Sequence, residues 1–282
     1  MLQFKDLFLI QIIGLLKNRN FTGDCHARIN SRLAKLQFFR GSLINILYQN
    51  FERADALEQI LWVHEGEIEL IPKAHAESDW NFMVDMDEAI VKSSPSMPNA
   101  CPFMENIFLE KIELNLQDES SFMGTGKIIY SSIRSGFRTD IAHSRKLISA
   151  PDFWESLFHL MGSGSVVGDY GQNLSVLLLK VQSAILGNLQ KILGKRVAQL
   201  YQDCLSQAMD EQWPNFPEHK NYDRIYGAYD RIYGTAPYRT WTRLLGESIT
   251  KATSTAMGHA CYKKALASLN PEENIILQQL LD

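Results

Sequence analysis

Cysteine is scarce in this chain of 282 residues, and its four cysteines are far apart. Cys25, Cys101, Cys204 and Cys261 form no C-x-x-C pair, which argues against a zinc site or a redox dithiol of the common kinds. Four scattered cysteines are also too few for the disulfide framework of a small secreted protein. We therefore predict a protein of the reducing cytoplasm.

Positive charge is not in excess either. The formal net charge is −4, whereas a dedicated nucleic-acid binder normally carries a basic stripe that neutralises phosphates. The charge is unevenly spread, since residues 77–119 contain ten Asp or Glu against two Lys. We interpret this range as an acidic connector or hinge between two domains.

Long hydrophobic runs are missing from the N-terminus. The run "LFLIQIIGLL", Leu7 to Leu16, has ten residues, whereas a membrane-spanning helix needs about 20. A signal peptide would have a more basic start and a clear small-residue cleavage site. The run therefore favours a buried helix.

Apolar spacing in the first quarter predicts a small α+β module. Asn30 and Ser31 favour a tight turn through bonds to their own backbone, and Arg40-Gly41 is typical of a second turn. The order is helix, three strands, helix, strand, with bounds of 2–17, 21–29, 33–39, 42–49, 51–63 and 66–72.

The first 76 residues resemble the PATAN domain, the N-terminal module of PatA-type bacterial regulators and of related gliding and motility proteins. The resemblance rests on "LIQIIGLLKNRNFTGDCHARI", "AKLQFFRGSLINILYQ" and "RADALEQILWVHEGEIEL". The matching motifs are a Thr-Gly pair, an apolar-apolar-x-Gly turn, an Ala-Leu pair in the second helix and a Gly-x-apolar closing strand, here Thr22-Gly23, Phe38 to Gly41, Ala56-Leu57 and Gly66 to Ile68. Gly23, Gly41 and Gly66 are therefore expected at fold-defining turns. Two features depart from the family: "YQNFER" follows the third strand, and no receiver domain follows the module.

Downstream, the patterns predict mostly helix. Residues 107–117 suit a strand or a short helix, and we favour a strand. Helices are predicted from Ala150, over 173–209 as one helix or two joined at Gly187 or Gly194, and over 240–269. Asn270 and Glu273 are expected to cap a last short helix. The predicted fold class is α+β: a small antiparallel sheet with flanking helices, then a mostly α-helical domain, with domains at 1–76, 77–119 and 120–282.

No motif specific to an enzyme or a metal site is present. The glycine-rich "GSGSVVGDYG", residues 162–171, has the wrong spacing for a dinucleotide loop, and "GTGK", residues 124–127, is interpreted as a turn. Neighbouring Cys25-His26 would point to opposite faces of a strand, His64-Glu65 lacks a second His, and the acidic "DMDE" at 85–88 is interpreted as a solvated helix face. We predict no metal and no cofactor. A triad of distant residues is recognised by geometry, so the sequence leaves it open.

One internal repeat is present, "YDRIYG" at 222–227 and again at 229–234. One interpretation is a packed helical element. The other is a Tyr- and Arg-rich surface for a protein partner, since these residues dominate binding hot spots. Its candidate binding residues are Tyr222, Arg224, Tyr226, Tyr229, Arg231 and Tyr233.

The PATAN resemblance implies a non-enzymatic cytoplasmic signalling adaptor. Its expected partner is a response regulator, a pilus motor ATPase or another signalling protein, in two-component, type IV pilus motility or phototaxis control, with cyanobacteria as a natural source. Two alternatives remain from the residues themselves. One is an enzyme with a dispersed active site in the helical domain. The other is a nucleic-acid-binding regulator that uses Lys191, Lys195, Arg196, Arg239 and Arg243.

Overall fold

A computed structural model describes residues 1–74, 83–84, 86–93, 108–111, 124–134, 139–140, 150–169, 171–212 and 233–281. Contacts divide the chain into two compact units. The first unit comprises Met1–Tyr170 with Tyr229–Gly234, and the second comprises Gly171–Ala228 with Thr235–Asp282. The unit that holds the sheet therefore extends well beyond the boundary predicted at residue 76.

The first unit begins with a six-stranded antiparallel sheet and two helices, which confirms the predicted fold class for this part of the chain. The strand order is β1-β6-β2-β3-β4-β5. The strands are β1 Leu2–Lys5, β2 Gly23–Ile29, β3 Arg32–Phe39, β4 Ser42–Tyr48, β5 Phe51–Glu52 and β6 Glu65–Pro72, and the helices are α1 Leu9–Asn18 and α2 Arg53–Ile60.

The predicted helix over 2–17 is wrong at its start. Residues 2–5 form β1, which pairs with β6 from Leu2 opposite Ile68 to Lys5 opposite Glu65. Asp6 then takes a positive φ of 58°, and the helix begins at Leu9. The side chain of Gln11 caps the helix by accepting the Phe8 backbone N–H at 2.8 Å. A strand forms because β6 offers a distant pairing partner that the local spacing did not reveal.

Both predicted turns are confirmed. Asn30 and Ser31 join β2 to β3 with φ of 48° and 64°, the positive values that a two-residue type I′ hairpin requires. Arg40 and Gly41 join β3 to β4 with φ of 46° and 80°. The short β5, which pairs with the end of β4, occupies the start of the helix that was predicted from Phe51.

The remainder of the first unit packs one helix on α1, packs two further helices on that one, and adds a second sheet that was not predicted. Its order is β8-β7-β9. The strand over 108–111 agrees with the strand favoured for 107–117, and "GTGK" begins a helix rather than the predicted turn. The elements are α3 Met86–Ser93, β7 Phe108–Lys111, α4 Gly124–Arg134, β8 Thr139–Asp140, α5 Ala150–Gly162 and β9 Val166–Asp169.

Helix α1 lies between the large sheet and α5, so every residue from Leu9 to Leu16 is buried. The helices approach so closely that a side chain on Gly14 would collide with the backbone carbonyl of Met161. Gln11 Nε2 also contacts the Met161 sulfur at 3.3 Å. These contacts explain why the predicted 1–76 module is part of a larger unit.

An aromatic cluster joins the same elements. Phe158 of α5 lies edge-on to Phe8 at 5.5 Å and to Trp62 at 5.0 Å between ring centroids, and Trp154 stacks on Phe158 at 6.1 Å. Trp62 also donates its indole N–H to the Ser93 carbonyl at 3.1 Å. Each such aromatic pair adds about 0.5–1.5 kcal/mol beyond the burial of its area.

The second unit is helical throughout its described residues, as predicted. Its helices are α6 Gly171–Leu193, α7 Lys195–Gln212, α8 Ala236–Ala252, α9 Thr255–Leu266 and α10 Pro271–Leu281. Gly194, with a φ of 88°, separates α6 from α7 at one of the two predicted break points.

The single helix predicted over 240–269 is wrong, because Thr253 is extended and Ser254 caps a new helix by accepting the Met257 N–H. The capping box at Asn270 and Glu273 is confirmed, with reciprocal bonds of 2.8 and 3.0 Å.

Within the described part of the chain, one helix has the length and composition to cross a membrane. Residues Leu174–Leu193 of α6 have a mean hydropathy of 1.2. The core helix of a soluble protein can have the same composition, and α6 packs against α7 and α9, with Leu178, Val181 and Ile185 among its buried residues. A cytoplasmic location stays a prediction.

Candidate functional site on the open face of the large sheet

One face of the large sheet packs on the helices and the other faces outward. Buried and accessible residues alternate along β2, from Cys25 and Ala27 on the inner side to Asp24, His26 and Arg28 on the outer side. We call the outward surface the open face. Its members in β2, β3, β4 and β6 are Asp24, His26, Arg28, Leu33, Lys35, Gln37, Asn45, Leu47, Glu67, Glu69 and Ile71.

A hydrogen-bonded row crosses three strands of the open face. Asn45 Nδ2 donates to Gln37 Oε1 at 2.9 Å, and Gln37 Nε2 donates to Asp24 Oδ1 at 3.2 Å. Lys73 Nζ lies 3.7 Å from the other carboxylate oxygen of Asp24. Each side chain of the row orients the next, so the polar groups are already fixed before a partner binds. Binding therefore does not have the entropy cost of ordering them.

Charged groups of both signs lie in the neighbouring rows. Glu69 lies opposite His26, and His26 lies opposite Lys35. In the next row, Arg28 Nη1 is 2.9 Å from Glu67 Oε2, with side-chain exposures of 54% and 38%. An exposed pair of this kind contributes at most about 1 kcal/mol to stability, so its main effect is on the charge pattern that a partner would meet.

Three large apolar side chains lie among these polar groups. Leu33, Leu47 and Ile71 are 41%, 39% and 37% exposed. Single exposed apolar residues are ordinary on protein surfaces. Three on one face, interspersed with oriented polar groups, match the mixed composition of non-obligate protein interfaces.

The edges of the large sheet are partly occupied by other residues of the same chain. Lys5 of β1 forms a parallel bridge with Gly234, and Val84 donates its backbone N–H to the Leu43 carbonyl of β4 at 3.2 Å. A partner that binds by adding a strand to the edge of this sheet therefore finds less open backbone than an isolated small sheet would offer.

The three predicted fold-defining glycines occupy different positions. Gly41 lies in the β3–β4 turn, where an added side chain would meet the Lys17 backbone, and its N–H donates to the Phe21 carbonyl. Gly23 is the first residue of β2. Gly66 lies inside β6 rather than at a turn, and its missing side chain admits the Phe4 ring and the Arg28 carbonyl.

Most of the predicted partner-binding repeat lies outside the described residues. This applies to Tyr222, Arg224, Tyr226, Tyr229 and Arg231. Tyr233 is described and half-buried. Its neighbour Gly234 is the residue that bridges to β1.

The remaining motifs show structural roles where they are described. Gly162 and Gly164 lie where α5 turns into β9, packed against Ile10 and the Gly14 carbonyl of α1. Of the acidic cluster at 85–88, Glu88 pairs with Lys92 at 2.6 Å, which agrees with a solvated helix face. Among the described residues, no group of three or more His, Cys, Asp or Glu converges on one point. Burial raises the pKa of Cys25 to about 12, so its thiol is neutral and unreactive.

A groove of about 560 Å³ lies within the second unit, where the enzyme alternative places its site. The lining residues are Thr242, Arg243, Gly246, Glu247, Thr250, Lys251, Tyr262 and Leu281. Arg243 is paired with Glu247 at 2.6 Å. Burial raises the pKa of Tyr262, so its phenol stays protonated at neutral pH.

The basic residues of the nucleic-acid alternative are divided between distant parts of the second unit's sequence. Lys191, Lys195 and Arg196 flank the break at Gly194 and are exposed. Arg239 is half-buried and donates to the Leu280 carbonyl at 3.4 Å, while Arg243 pairs with Glu247. Two of these five cations therefore have partners inside the protein.

No known protein family, curated protein or solved structure matches this chain. The open face was not predicted as a site. Its signal was present in the polar residues at every second position of β2 and β3, but the pairing of Asp24 with Gln37 and Asn45 depends on register.

Proposed function

We propose that this protein is a non-enzymatic signalling adaptor that binds another protein through the open face of its large sheet. The single observation that carries the proposal is the row of Asn45, Gln37 and Asp24 beside exposed apolar residues. The row is ordered before binding, and Leu33 and Leu47 supply apolar area for a partner to bury.

The resemblance to the PATAN domain supports the same role and suggests the partner. By that resemblance the partner is a response regulator, a pilus motor ATPase or another signalling protein of a bacterial motility or phototaxis system. The open face carries charges of both signs rather than one, which suits a protein surface better than a nucleic-acid backbone.

Site-specific photo-crosslinking tests the proposal. A photoreactive residue replaces Leu47 on the open face, and in the control it replaces Val176, which is exposed in the second unit. We expect the Leu47 derivative to crosslink one signalling protein in cells, and the Val176 derivative not to crosslink it.

The captured protein is then purified and its affinity measured. We expect Leu33→Glu with Leu47→Glu to weaken binding at least about tenfold, because charge replaces the apolar contact area, and Val176→Glu to leave it unchanged. Equal crosslinking from both positions, or unchanged affinity of the Leu33 and Leu47 variant, would contradict the proposal.

A further inference from the structure

The groove of the second unit is lined by residues of three helices. Most of them belong to α8, whereas Tyr262 comes from α9 and Leu281 from α10, and both of these helices pack against α8. Its volume of about 560 Å³ lies in the range of ligand-binding pockets, about 300–1,000 Å³. The groove is therefore large enough to hold a small molecule.

The floor of the groove is a row of small residues on α8. Thr242, Gly246 and Thr250 are four residues apart, so they lie on one face of the helix. A Cβ on Gly246 would have no heavy atom within 4 Å, so the space above this glycine is open. The Thr242 and Thr250 hydroxyls donate to carbonyls of their own helix, at 2.8 and 3.0 Å. The floor therefore presents mainly apolar atoms to a ligand.

A second row on α8 carries charge along the groove. Arg243, Glu247 and Lys251 follow the same spacing of four residues. Arg243 Nη1 lies 2.6 Å from Glu247 Oε1, so these two charges pair with each other. Lys251 is exposed and has no ion-pair partner in the part of the chain that the structure describes. Two cations and one carboxylate leave one positive charge in excess, which favours an anionic ligand group.

Tyr262 adds a hydroxyl group to the wall of the groove. Its side chain is half-buried, and its hydroxyl oxygen is buried with no hydrogen-bond partner among the described residues. Such a group is uncommon in folded proteins, because it has lost its hydrogen bonds to water. Rotation of the side chain toward the groove would break no hydrogen bond, and an anionic oxygen there would accept the phenol O–H.

We propose that the groove binds a fatty acid, with the alkyl chain on the apolar floor and the carboxylate between Lys251 and Tyr262. The carboxylate accepts hydrogen bonds from the Lys251 ammonium and the Tyr262 phenol, the two donors that have no partner in the groove. A nucleotide fits less well, because the floor offers apolar atoms where a sugar would need polar partners. The site is independent of the adaptor role, which belongs to the open face of the first unit.

Isothermal titration calorimetry with the full-length protein tests the ligand class. Decanoate is the probe, and decyltrimethylammonium, which has the same alkyl chain and the opposite charge, is its control. We expect decanoate to bind at one site and the cationic probe to bind at least about tenfold more weakly, because Lys251 repels it.

Two glycine variants test the location of the site. Gly246→Leu places a side chain in the groove, whereas Gly187→Leu places the same side chain in open space on α6. Both replace a helical glycine with a stronger helix former, so neither should lower the thermal stability. We expect Gly246→Leu to weaken decanoate binding at least about tenfold by filling the groove, and Gly187→Leu to leave it unchanged.

Three further variants test the contacts of the carboxylate. We expect Lys251→Gln to weaken decanoate binding about threefold and Tyr262→Phe to weaken it about tenfold, through loss of the charge and of the hydrogen bond. Lys264→Gln, at an exposed position of α9 outside the groove, should leave the affinity unchanged.

Several results would overturn the proposal. They are no binding of decanoate to the wild type, equal binding of the two probes, and equal weakening by Gly246→Leu and Gly187→Leu. If Gly246→Leu does not fold, the carboxylate variants decide the question. Affinities of Lys251→Gln and Tyr262→Phe that equal the affinity of Lys264→Gln would then overturn the proposal, and the expected weakening would support it.

Discussion

The first helix of the first unit and the first helix of the second unit bury their residues in different ways. In α1 every position from Leu9 to Leu16 is buried, including Gln11 and Gly14. In α6 the fully buried positions recur at steps of three and four, as at Leu178, Val181 and Ile185. A helix packed on two sides loses its amphipathic pattern, whereas a helix packed on one side keeps it.

The same comparison shows that glycine has different roles in the two helices. In α1, Gly14 is where the backbone of another helix comes into contact. In α6, Gly187 has open space where its side chain would be. The same residue type is therefore a packing requirement in the first unit and a cost to helix stability in the second.

Removing the Phe158 ring from the aromatic cluster of the first unit should have the largest effect on stability. Phe158→Ala is expected to lower the free energy of unfolding by about 3–5 kcal/mol, because the ring is fully buried among Phe8, Trp62 and Trp154. The matched change in the second unit, Val176→Ala at a position 61% exposed, should cost less than about 0.5 kcal/mol. Urea denaturation measures both, and similar costs would contradict the cluster's role.

Adding one methyl group to each helix tests the glycine contrast directly. Gly14→Ala should destabilise the protein by about 3 kcal/mol, because the methyl group meets the Met161 carbonyl and one helix must move. Gly187→Ala should instead stabilise it by up to about 1 kcal/mol through helix propensity. Thermal unfolding of the two variants should shift in opposite directions, and a shift of the same sign would disprove the close approach of α1 and α5.

The capping box of α10 should contribute a smaller amount. Asn270→Ala is expected to cost about 1 kcal/mol, since the Glu273 N–H loses its acceptor. The pKa of Glu273 is lowered, first by the hydrogen bond from Lys180 and then by the Asn270 backbone N–H. A carboxyl group whose pKa is lowered by folding stabilises the folded state at pH values above the ordinary pKa of Glu. This contribution is lost as the pH falls through the pKa of the folded state.

The corresponding control is Glu273→Gln, which keeps most of the cap but removes the charge. Its free energy of unfolding should vary less than that of wild type below about pH 4.5. Parallel pH profiles for the two proteins would contradict the ion pair with Lys180.

The last expected difference between the two units is in the labelling rate of their cysteine thiols, which leaves the stability of the protein unchanged. Cys25 is buried in the large sheet, and burial raises its pKa to about 12, whereas Cys204 in the second unit is half-exposed. At pH 8 we expect iodoacetamide to label Cys204 well before Cys25 in the native protein, and both at similar rates in urea. Mass spectrometry of the labelled peptides gives the rates, and early labelling of Cys25 would show that β2 is accessible.

Local features of the fold were predicted well. The turn at Asn30-Ser31, the turn at Arg40-Gly41 and the box at Asn270 depend on residues within three positions of one another, so spacing and backbone preference are sufficient. The open face was not predicted, because Asp24 and Asn45 are linked through Gln37 only by the register of three strands.

By itself, the sequence determined the turns at Asn30-Ser31 and Arg40-Gly41, the capping box of α10 and that an α+β part precedes a helical part, since these follow from neighbouring residues. Only the tertiary structure decided that Leu2 to Lys5 form a strand and that β6 lies between β1 and β2. It also decided that α1 is enclosed by α5. Each of these depends on a partner at least 39 residues away in the chain, and no local pattern specifies which distant surface will be nearest.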